Sequence, residues 1–458
     1  MTATFWLKAL QLILALSLLV VVHEFGHYSF SRIFGVWVEK FYMFFNPWFS
    51  IAKWKPSAKV DSDGNEVKSS WRATEYGIGW LPLGGYCKIA GMIDESMDKE
   101  QMKEPAKPYE FRSKPAWQRF FIMIGGVLFN FLLAGIIYAG IVWTYGEMYV
   151  NFEDAHEGMN YCDSAHAIGF QDGDIPLMAD DHKLTYRNGT EVTNILMAKT
   201  VTVLRNHKDT VVITMPKDFL AQANKDAEAG QMFMDYRMPV YIEQTQARMG
   251  AEKAGLQKGD RMLAVGNDTT PSYNQFTEAL AKHKGKTVTI TYLRDGKLLK
   301  TPVEIDADGK LGIQLMPITK IYKVNVKKYN ILQSIPRGIV MGWDQMVTYV
   351  KQLKMIFTPQ GAKSLGGFGA IGSIFPDQWN WLDFWSITAF LSIILAVMNI
   401  LPIPALDGGH LLFLIYEMIT GRQPSEKFLE RAQYIGMALL LALLLFANGN
   451  DIYRYFFK

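Results

Sequence analysis

The sequence predicts a multi-pass α-helical membrane protein with two α+β domains inserted between its helices. Three observations support this fold class: four long apolar runs, a repeated motif between the second and third runs, and an overall composition rich in apolar residues. The 458 residues are 49% hydrophobic and have a mean hydropathy of +0.03, which is high for a soluble protein. We therefore expect much of the chain to face lipid and the repeated segment to lie in water.

The four apolar runs are near the length of about 20 residues that a helix needs to cross a bilayer. They predict membrane spans at about 5–34, 118–143, 384–402 and 430–448. The first run is not a cleavable signal, because no small-residue cleavage site follows it. Buried core helices are the alternative. That alternative is poor for the second run, which has no charge between Phe120 and Trp143, and credible for the short last run.

Basic residues predict the orientation of these spans. The connection between the last two spans carries Arg422, Lys427 and Arg431, and the connection between the first two carries Lys53, Lys55, Lys59, Arg72, Arg112, Lys114 and Arg119. Short cytoplasmic loops are enriched in Lys and Arg. We therefore expect both connections to be cytoplasmic, and both termini and the long insert to be extracytoplasmic. The small net charge of +3 gives no basic footprint for nucleic acid.

The insert contains an internal repeat. The stretch SAHAIGFQDGDI at 164–175 aligns with AEKAGLQKGDRM at 251–262, so that glycine, glutamine and a Gly-Asp pair recur at an offset of 86 residues. A repeat of that size indicates tandem domains, at about 145–235 and 236–320. The AGLxxGD signature, followed by a strand, a helix and further strands, resembles a PDZ domain. The first copy is degenerate, because PLMADD follows GDI where a continuous apolar strand is expected.

PDZ domains bind an extended peptide as an added strand at a sheet edge. The strand of Pro239, Val240, Tyr241 and Ile242, just before the second signature, is the predicted peptide-binding edge. The alternative is that the two domains only exclude substrates by size. In the following segment, at 321–383, we predict an amphipathic helix at 333–357 on the outer membrane surface and a re-entrant Gly-rich loop at 366–372.

The first span ends in the motif HEFGH, at 23–27. On a helix, His23 and His27 share a face and can bind one zinc ion, with Glu24 beside them as a general base. Two histidines on a helix are more often structural than metal ligands. These follow an apolar run directly, however, and ionisable residues at membrane depth are costly and usually functional. A divalent cation is the simplest partner for three such residues.

A catalytic zinc ion typically has three protein ligands. The two cysteines, Cys87 and Cys162, are too few and too far apart for a thiolate site. Asp407 is the best third candidate. It lies in NILPIPALDGGH, whose two prolines must end the third span. Its alternative role is a cap for the next helix, and His410 is a weaker ligand candidate.

Together, HEFGH, NILPIPALDGG and the PDZ-like repeat resemble the site-2 protease family of intramembrane zinc metalloproteases. Within that family, the bacterial group that acts on anti-sigma factors is the most similar. The resemblance covers nearly the whole chain. It implies a Zn²⁺ cofactor held by His23, His27 and Asp407, with Glu24 as the catalytic base. It also implies that Asn399 holds the substrate strand.

Two further segments match elements of that family. GVLFN at 126–130 matches a GxxxN element, in which Asn130 is a candidate substrate-side residue and Gly126 would otherwise serve close helix packing. The Gly-rich, aromatic segment at 75–91 resembles a membrane re-entrant β-hairpin, with Gly85 and Tyr86 as candidate substrate-binding residues. An apolar strand edge in lipid requires a pairing partner. A substrate unwound to an extended strand would supply it.

The predicted function is cleavage of membrane-spanning segments, in substrates such as anti-sigma factors or signal-peptide remnants. The expected partners are single-span membrane proteins already trimmed on the extracytoplasmic side, in the bacterial inner membrane, with no nucleic acid. One alternative is an inert membrane scaffold that binds partners through PDZ domains. Such a scaffold has no need of HExxH, Asp407 and Asn399 together. A membrane-tethered protease for soluble peptides would place the zinc ion outside the bilayer.

Overall fold

The computed structural model describes residues 3–57, 59–61, 66–82, 84–92, 105–228, 231–356 and 366–457. These residues form two compact units. The first, here called the membrane unit, comprises Met1–Gly146 and Lys328–Lys458. The second, here called the inserted unit, is Glu147–Lys327. The membrane unit is therefore built from two parts of the chain that are far apart in sequence. This is the arrangement expected if 147–327 is inserted between them.

The helices of the described residues are, in chain order, α1 (Ala3–Ile33), α2 (Ala116–Tyr145), α3 (Asp163–Ala167), α4 (Gly189–Met197), α5 (Phe219–Glu228), α6 (Gly250–Lys253), α7 (Tyr273–Ala281), α8 (Ile318–Ile321), α9 (Ile331–Ile356), α10 (Phe368–Ile374), α11 (Trp381–Ile400), α12 (Asp407–Thr420) and α13 (Glu426–Phe457). The strands are β1 (Val38–Met43), β2 (Ala52–Trp54), β3 (Glu75–Ile78), β4 (Tyr86–Ile89), β5 (Glu147–Val150), β6 (Met159–Tyr161), β7 (Ile175–Ala179), β8 (His182–Lys183), β9 (Thr200–Arg205), β10 (Asp209–Thr214), β11 (Met234–Tyr236), β12 (Val240–Thr245), β13 (Arg261–Val265), β14 (Asp268–Thr269), β15 (Thr287–Arg294), β16 (Lys297–Glu304), β17 (Ile313–Leu315) and β18 (Val324–Lys327).

Four helices of the membrane unit are long and apolar enough to cross a membrane. They are Thr4–Ile33 in α1, all of α2, all of α11, and Lys427–Tyr453 in α13. Every limit lies within five residues of the span predicted from the sequence. The prediction of four apolar helices is confirmed.

The helix bundle is organised around α2, which contacts α1, α9, α11 and α12. Helices α1 and α2 cross where glycine faces glycine. A Cβ atom on Gly26 would lie 2.2 Å from the carbonyl oxygen of Gly125, and one on Gly125 would lie 2.6 Å from that of Gly26. Small residues at a crossing let two helix backbones approach closely in a membrane. This approach holds the HEFGH turn against α2.

The sheet of the membrane unit has the strand order β2-β3-β1-β4. Strand β1 pairs in parallel with β3 and antiparallel with β4. The prediction of a simple β-hairpin at 75–91 is therefore wrong, because β3 and β4 lie on opposite sides of β1 instead of pairing with each other. Residue 83, in the connection between them, lies outside the described residues. Strand β4 is at an end of this sheet.

The segment at 321–383 agrees with its prediction in part. Helix α9 covers nearly the predicted range and packs on α2 and α11 through a face that includes Gly338, Met346 and Tyr349, while Trp343 and Val350 beside that face are exposed. Its location on the outer membrane surface stays a prediction, and Phe357 lies outside the described residues. The Gly-rich run forms the short helix α10 instead of a loop, because the Asp451 carboxylate and the Asn448 amide oxygen accept its first backbone N–H groups.

The inserted unit consists of two domains with the same order of elements. Each has a short helix, the Gly-Asp signature, a strand, a two-residue strand, a longer helix and an antiparallel strand pair. In the first domain these are α3, β7, β8, α4, β9 and β10, and in the second they are α6, β13, β14, α7, β15 and β16. Each domain has its own apolar core. The repeat read from four residues therefore extends over both domains, while their assignment to the PDZ family stays a prediction.

The Gly-Asp signature has a structural role in both domains. Asp174 is 1% exposed and accepts hydrogen bonds from Arg205 Nε and Nη2 and from the Gln171 backbone N–H. Asp260, also 1% exposed, accepts the same set from Arg294 and the Gln257 backbone. Donation to Asp174 and Asp260 raises the pKa of Arg205 and Arg294, respectively, above the ordinary arginine value. The aspartate of the signature therefore fastens the start of one strand to the end of its neighbouring strand in the sheet.

Two strand predictions for the inserted unit need correction. The PLMA stretch of the first domain does form a strand, β7, with a register shift after Pro176 that accommodates the missing N–H. The proposed peptide-binding strand at Pro239–Ile242 is not an edge. Its residues Val240, Tyr241 and Ile242 belong to β12, which lies between β13 and β17. The end strands of that sheet are β16 and β17.

Candidate metal centre and substrate cavity

Helix α1 places the two histidines of HEFGH on one buried face. His23 is 8% exposed and His27 is 6% exposed, and their Nε2 atoms lie 3.2 Å apart. A spacing of four residues puts both side chains on one side of a helix. Two Nε2 atoms this close are suited to sharing one cation.

The third candidate ligand, Asp407, follows the turn that connects α11 to α12. After Ile400 the chain turns through two prolines and Ala405, which has a φ of +79°, and α12 begins at Asp407. A Cβ atom on Gly408 would lie 2.1 Å from the Leu401 carbonyl oxygen, so only glycine permits this tight return. The turn sets Asp407 Oδ2 3.2 Å from His23 Nε2 and 3.3 Å from His27 Nε2.

Asp407 does not cap its helix. The N-cap position of α12 is Leu406, and no side-chain hydrogen bond is made there. Asp407 Oδ2 is buried and has no hydrogen-bond partner among the described residues, although two imidazole nitrogens are within 3.3 Å. Atoms that approach one another without hydrogen-bond geometry are expected where lone pairs converge on a metal ion.

The separations among these three atoms fit zinc. Tetrahedral bonds of about 2.0–2.1 Å place neighbouring ligand atoms about 3.3 Å apart. The observed separations of 3.2, 3.2 and 3.3 Å match that value on every side of the triangle. His23, His27 and Asp407 also form the one group of this kind found among the described residues.

Groups on α2 and its neighbours orient both imidazoles. The His27 Nδ1–H donates to the Ile122 carbonyl oxygen at 2.8 Å, which leaves the Nε2 lone pair for a metal. His23 Nδ1 is 3.2 Å from Asn130 Nδ2, and Asn130 is fully buried with an unpaired Oδ1. If the amide oxygen and nitrogen, which resemble each other in shape, are exchanged, Asn130 Oδ1 accepts a hydrogen bond from the His23 Nδ1–H. That arrangement satisfies Oδ1 and leaves His23 Nε2 free to bind metal.

Gly126 makes room for the imidazoles. A Cβ atom there would lie 2.5 Å from both His23 Cε1 and His27 Nε2. The two ligands therefore rest directly on the backbone of α2. Helix packing and metal geometry both require glycine at this position.

A cavity of about 510 Å³ opens beside the three ligand atoms. Its lining includes Glu24, the whole of strand β4 with Gly85, and residues of α12 and α13. Tyr86 stacks on Tyr42 and donates from its hydroxyl to Asn46 Oδ1 at 3.0 Å. The candidate base and the candidate substrate strand thus border the same cavity.

The sequence is matched from 11–61 and 64–443 by the model of a protein family described as Peptidase family M50. The chain belongs to this family. It is 29% identical to the regulator of sigma E protease of Haemophilus influenzae, over 96% of this chain and 98% of that one. It is 28% identical to the regulator of sigma-E protease RseP of Escherichia coli, over 96% and 97% of the two chains.

A Pasteurella multocida protein described as a zinc metalloprotease is 27% identical over 96% of this chain and 98% of its own. A solved structure, a serine endoprotease from Yersinia pestis, matches 27% of this chain and 47% of its own with 17% identity and a TM-score of 0.12, too low to indicate a shared overall fold. With its family and its four apolar helices, this M50 chain is a multi-pass inner-membrane zinc metalloprotease with Zn²⁺ as its cofactor.

The remaining sequence-predicted residues of this M50 chain lie at different distances from the ligands. Asn399, near the end of α11, has its Nδ2 3.3 Å from His23 Nε2. His410 lines the cavity but is not part of the ligand group. Pro239, Val240, Tyr241 and Ile242 are in the inserted unit and are not among the residues that line this cavity.

Sequence reasoning missed three polar residues of the cavity, Lys40 on β1, Lys88 on β4 and Gln433 on α13. Lys40 carried no signal, because its strand lies in a segment of mixed polarity. Gln433 did carry one. It is a polar residue inside a predicted membrane span, and such residues usually face the interior of a bundle.

Proposed function

We propose that this M50 metalloprotease cleaves the membrane-spanning segments of single-span proteins whose extracytoplasmic part has already been removed. The observation that carries the proposal is the ligand group itself, because His23 and His27 lie in a helix apolar enough to cross a membrane and Asp407 meets them there from the start of α12. A protease for soluble substrates has no need of that location. The names of the relatives, regulators of sigma-E, favour anti-sigma factors as the substrate class over signal-peptide remnants.

The chemistry follows from the groups around the cavity. A zinc ion held by these residues would polarise the scissile carbonyl and make a water molecule more acidic. Glu24 then accepts a proton from the water as it attacks the carbonyl carbon and later delivers it to the nitrogen of the leaving amine. Asn399 donates from its amide toward the carbonyl oxygen as negative charge develops there. Asn130 and the Ile122 carbonyl oxygen keep the imidazoles oriented throughout.

We propose that the substrate enters this cavity as an extended strand on β4. A helix hides its peptide bonds in its own hydrogen bonds, so the segment must unwind before attack. Strand β4 ends its sheet, and its outer N–H and C=O groups can pair with an unwound segment. Gly85 and Tyr86 would then contact the substrate backbone near the zinc ligands.

The inserted unit would filter substrates on the extracytoplasmic side, where both termini are also proposed to lie. If its second domain binds a peptide as a strand, β17 is the better candidate, since β12 is paired on both sides. The inert-scaffold alternative is set aside, because the chain belongs to a peptidase family.

Glu24→Gln tests this function. The substitution keeps the size of the side chain and removes the base, so we expect cleavage to fall by about 10²- to 10⁴-fold while zinc content stays the same. The measurement is cleavage of a tagged single-span protein without an extracytoplasmic domain, co-reconstituted with the enzyme in vesicles. The same single-span protein with a bulky extracytoplasmic domain is the matched control and should resist cleavage. Wild-type-like cleavage by Glu24→Gln would remove Glu24 from the mechanism.

A further inference from the structure

Gln433 is a buried polar side chain that the mechanism above does not use. It lies on α13, is 8% exposed, and lines the cavity beside the zinc ligands. Its amide makes no hydrogen bond to any residue that the structure describes, and neither of its polar atoms is sealed from the cavity. A largely buried amide that the protein leaves without a partner is available to a hydrogen-bonding group of a bound molecule. Such a group in an enzyme cavity points to a partner that arrives with the substrate.

The fold holds Gln433 at this place through a close backbone contact. Gly436, three residues further along α13, approaches so near that a Cβ atom on it would lie 1.7 Å from the Pro404 carbonyl oxygen. Residues three apart share one side of a helix. The contact therefore fixes the Gln433 face of α13 beside the turn that carries Asp407. Most of α13 is otherwise exposed, so this one face is singled out.

The chemistry of an added strand leaves a requirement that Gln433 can meet. A segment paired with β4 satisfies the backbone groups on one of its edges, and those on the other edge need partners inside the cavity. Gln433 is the single side-chain amide among the described residues that line the cavity. An amide offers one acceptor and two donors, the same pair of functions as a peptide group.

We propose that the Gln433 amide is a substrate-binding group that hydrogen-bonds to the backbone of the extended substrate, on the edge that β4 leaves open. This inference rests on the proposed function, since it requires an extended substrate at the zinc site. A hydrogen bond to the backbone makes recognition by Gln433 independent of the substrate's side chains. It also gives α13 a direct part in holding the cleaved segment.

Two hydroxamates separate this role from an effect on the metal. Acetohydroxamate chelates zinc and has no peptide backbone, whereas a leucine tripeptide hydroxamate adds an extended backbone to the same chelating group. The experiment measures binding of both to the full-length, zinc-loaded protein in detergent. The variant is Gln433→Met, which keeps the volume of the side chain and removes its hydrogen-bonding groups. The control is Gln423→Met, an exposed glutamine that lies outside this cavity.

We expect Gln433→Met to bind the tripeptide hydroxamate roughly 5- to 30-fold more weakly than wild type, as for loss of one or two hydrogen bonds. Acetohydroxamate should bind equally to both, which also shows that the variant is folded. Gln423→Met should match wild type with both probes. In the vesicle cleavage assay, Gln433→Met should raise KM and leave kcat nearly unchanged, because the contact is present before and during the reaction.

Equal tripeptide affinity in Gln433→Met and wild type would overturn the inference. So would an equal loss for both hydroxamates, which would assign Gln433 to the metal site instead. A wild-type protein that holds zinc but binds neither probe would also refute it. A wild-type protein without zinc would overturn the proposed function, and this inference with it.

Discussion

Aspartates with buried carboxylate oxygens occur in both units of the molecule, and their surroundings differ. In the inserted unit, Asp174 and Asp260 each accept two hydrogen bonds from an arginine and one from a backbone N–H. In the membrane unit, Asp407 Oδ2 faces two histidine Nε2 atoms and has no hydrogen bond to any residue that the structure describes. The first pair is fully satisfied by the protein, and the last residue is not.

This difference separates structural from functional carboxylates better than burial does. A satisfied buried ion pair fastens one element to another and requires nothing further. A carboxylate whose only near neighbours are lone-pair donors requires a cation. The same test applied to an amide singles out Gln433, which is also buried and without a partner among the described residues.

The largest effect should follow the loss of the unsatisfied carboxylate. Asp407→Asn removes a charged ligand, so zinc affinity should fall by well over the roughly 10- to 100-fold that the loss of an outer-shell partner costs. The measurement is zinc per chain after dialysis against graded chelator. Asp260→Asn is the matched control, since the same chemical change there should leave zinc content at the wild-type level. Retention of zinc by Asp407→Asn would move the third ligand elsewhere, with His410 the first to test.

Loss of a satisfied carboxylate should lower the stability of the inserted unit and leave zinc binding unchanged. Asp260→Asn leaves the Arg294 guanidinium without its charged partner, which costs about 3 kcal/mol, at the low end for a buried pair because Arg294 is partly exposed and can turn toward water. Faster hydrogen exchange of β13 and β15 in the full-length protein would report this loss, and α1 should exchange as in wild type. Asp174→Asn should do the same for β7 and β9. Unchanged exchange in both variants would deny the aspartates their fastening role.

Local patterns in the sequence were sufficient to choose the three candidate metal ligands that the structure brings together. HEFGH at the end of an apolar run and LDGG after two prolines each constrain a few neighbouring residues, and helix geometry does the rest. The four spans were equally accessible, because length and hydropathy are local properties. The repeat was visible because the same Gly-Asp pair occurs in both copies, and its aspartate makes the same buried contact with an arginine in each.

Pairing between distant strands could not be predicted in the same way. Strands β3 and β4 are close in sequence, yet β1 separates them, and nothing at 75–91 specifies a partner more than 30 residues away. Strand β12 looked like an edge because β17, its second partner, is a three-residue strand with no sequence signal of its own.

The smallest effect should come from Asn130, which supports the metal site without touching the metal. Asn130→Leu removes the acceptor for the His23 Nδ1 proton, so zinc affinity should fall roughly 10- to 100-fold, measured by the same chelator dialysis. Asn130→Asp keeps an acceptor there and should retain near-wild-type affinity. If Asn130→Asp binds zinc more weakly than Asn130→Leu, then Asn130 donates to Nδ1 instead. The proton would then sit on Nε2, and His23 could not bind zinc through the atom that faces Asp407.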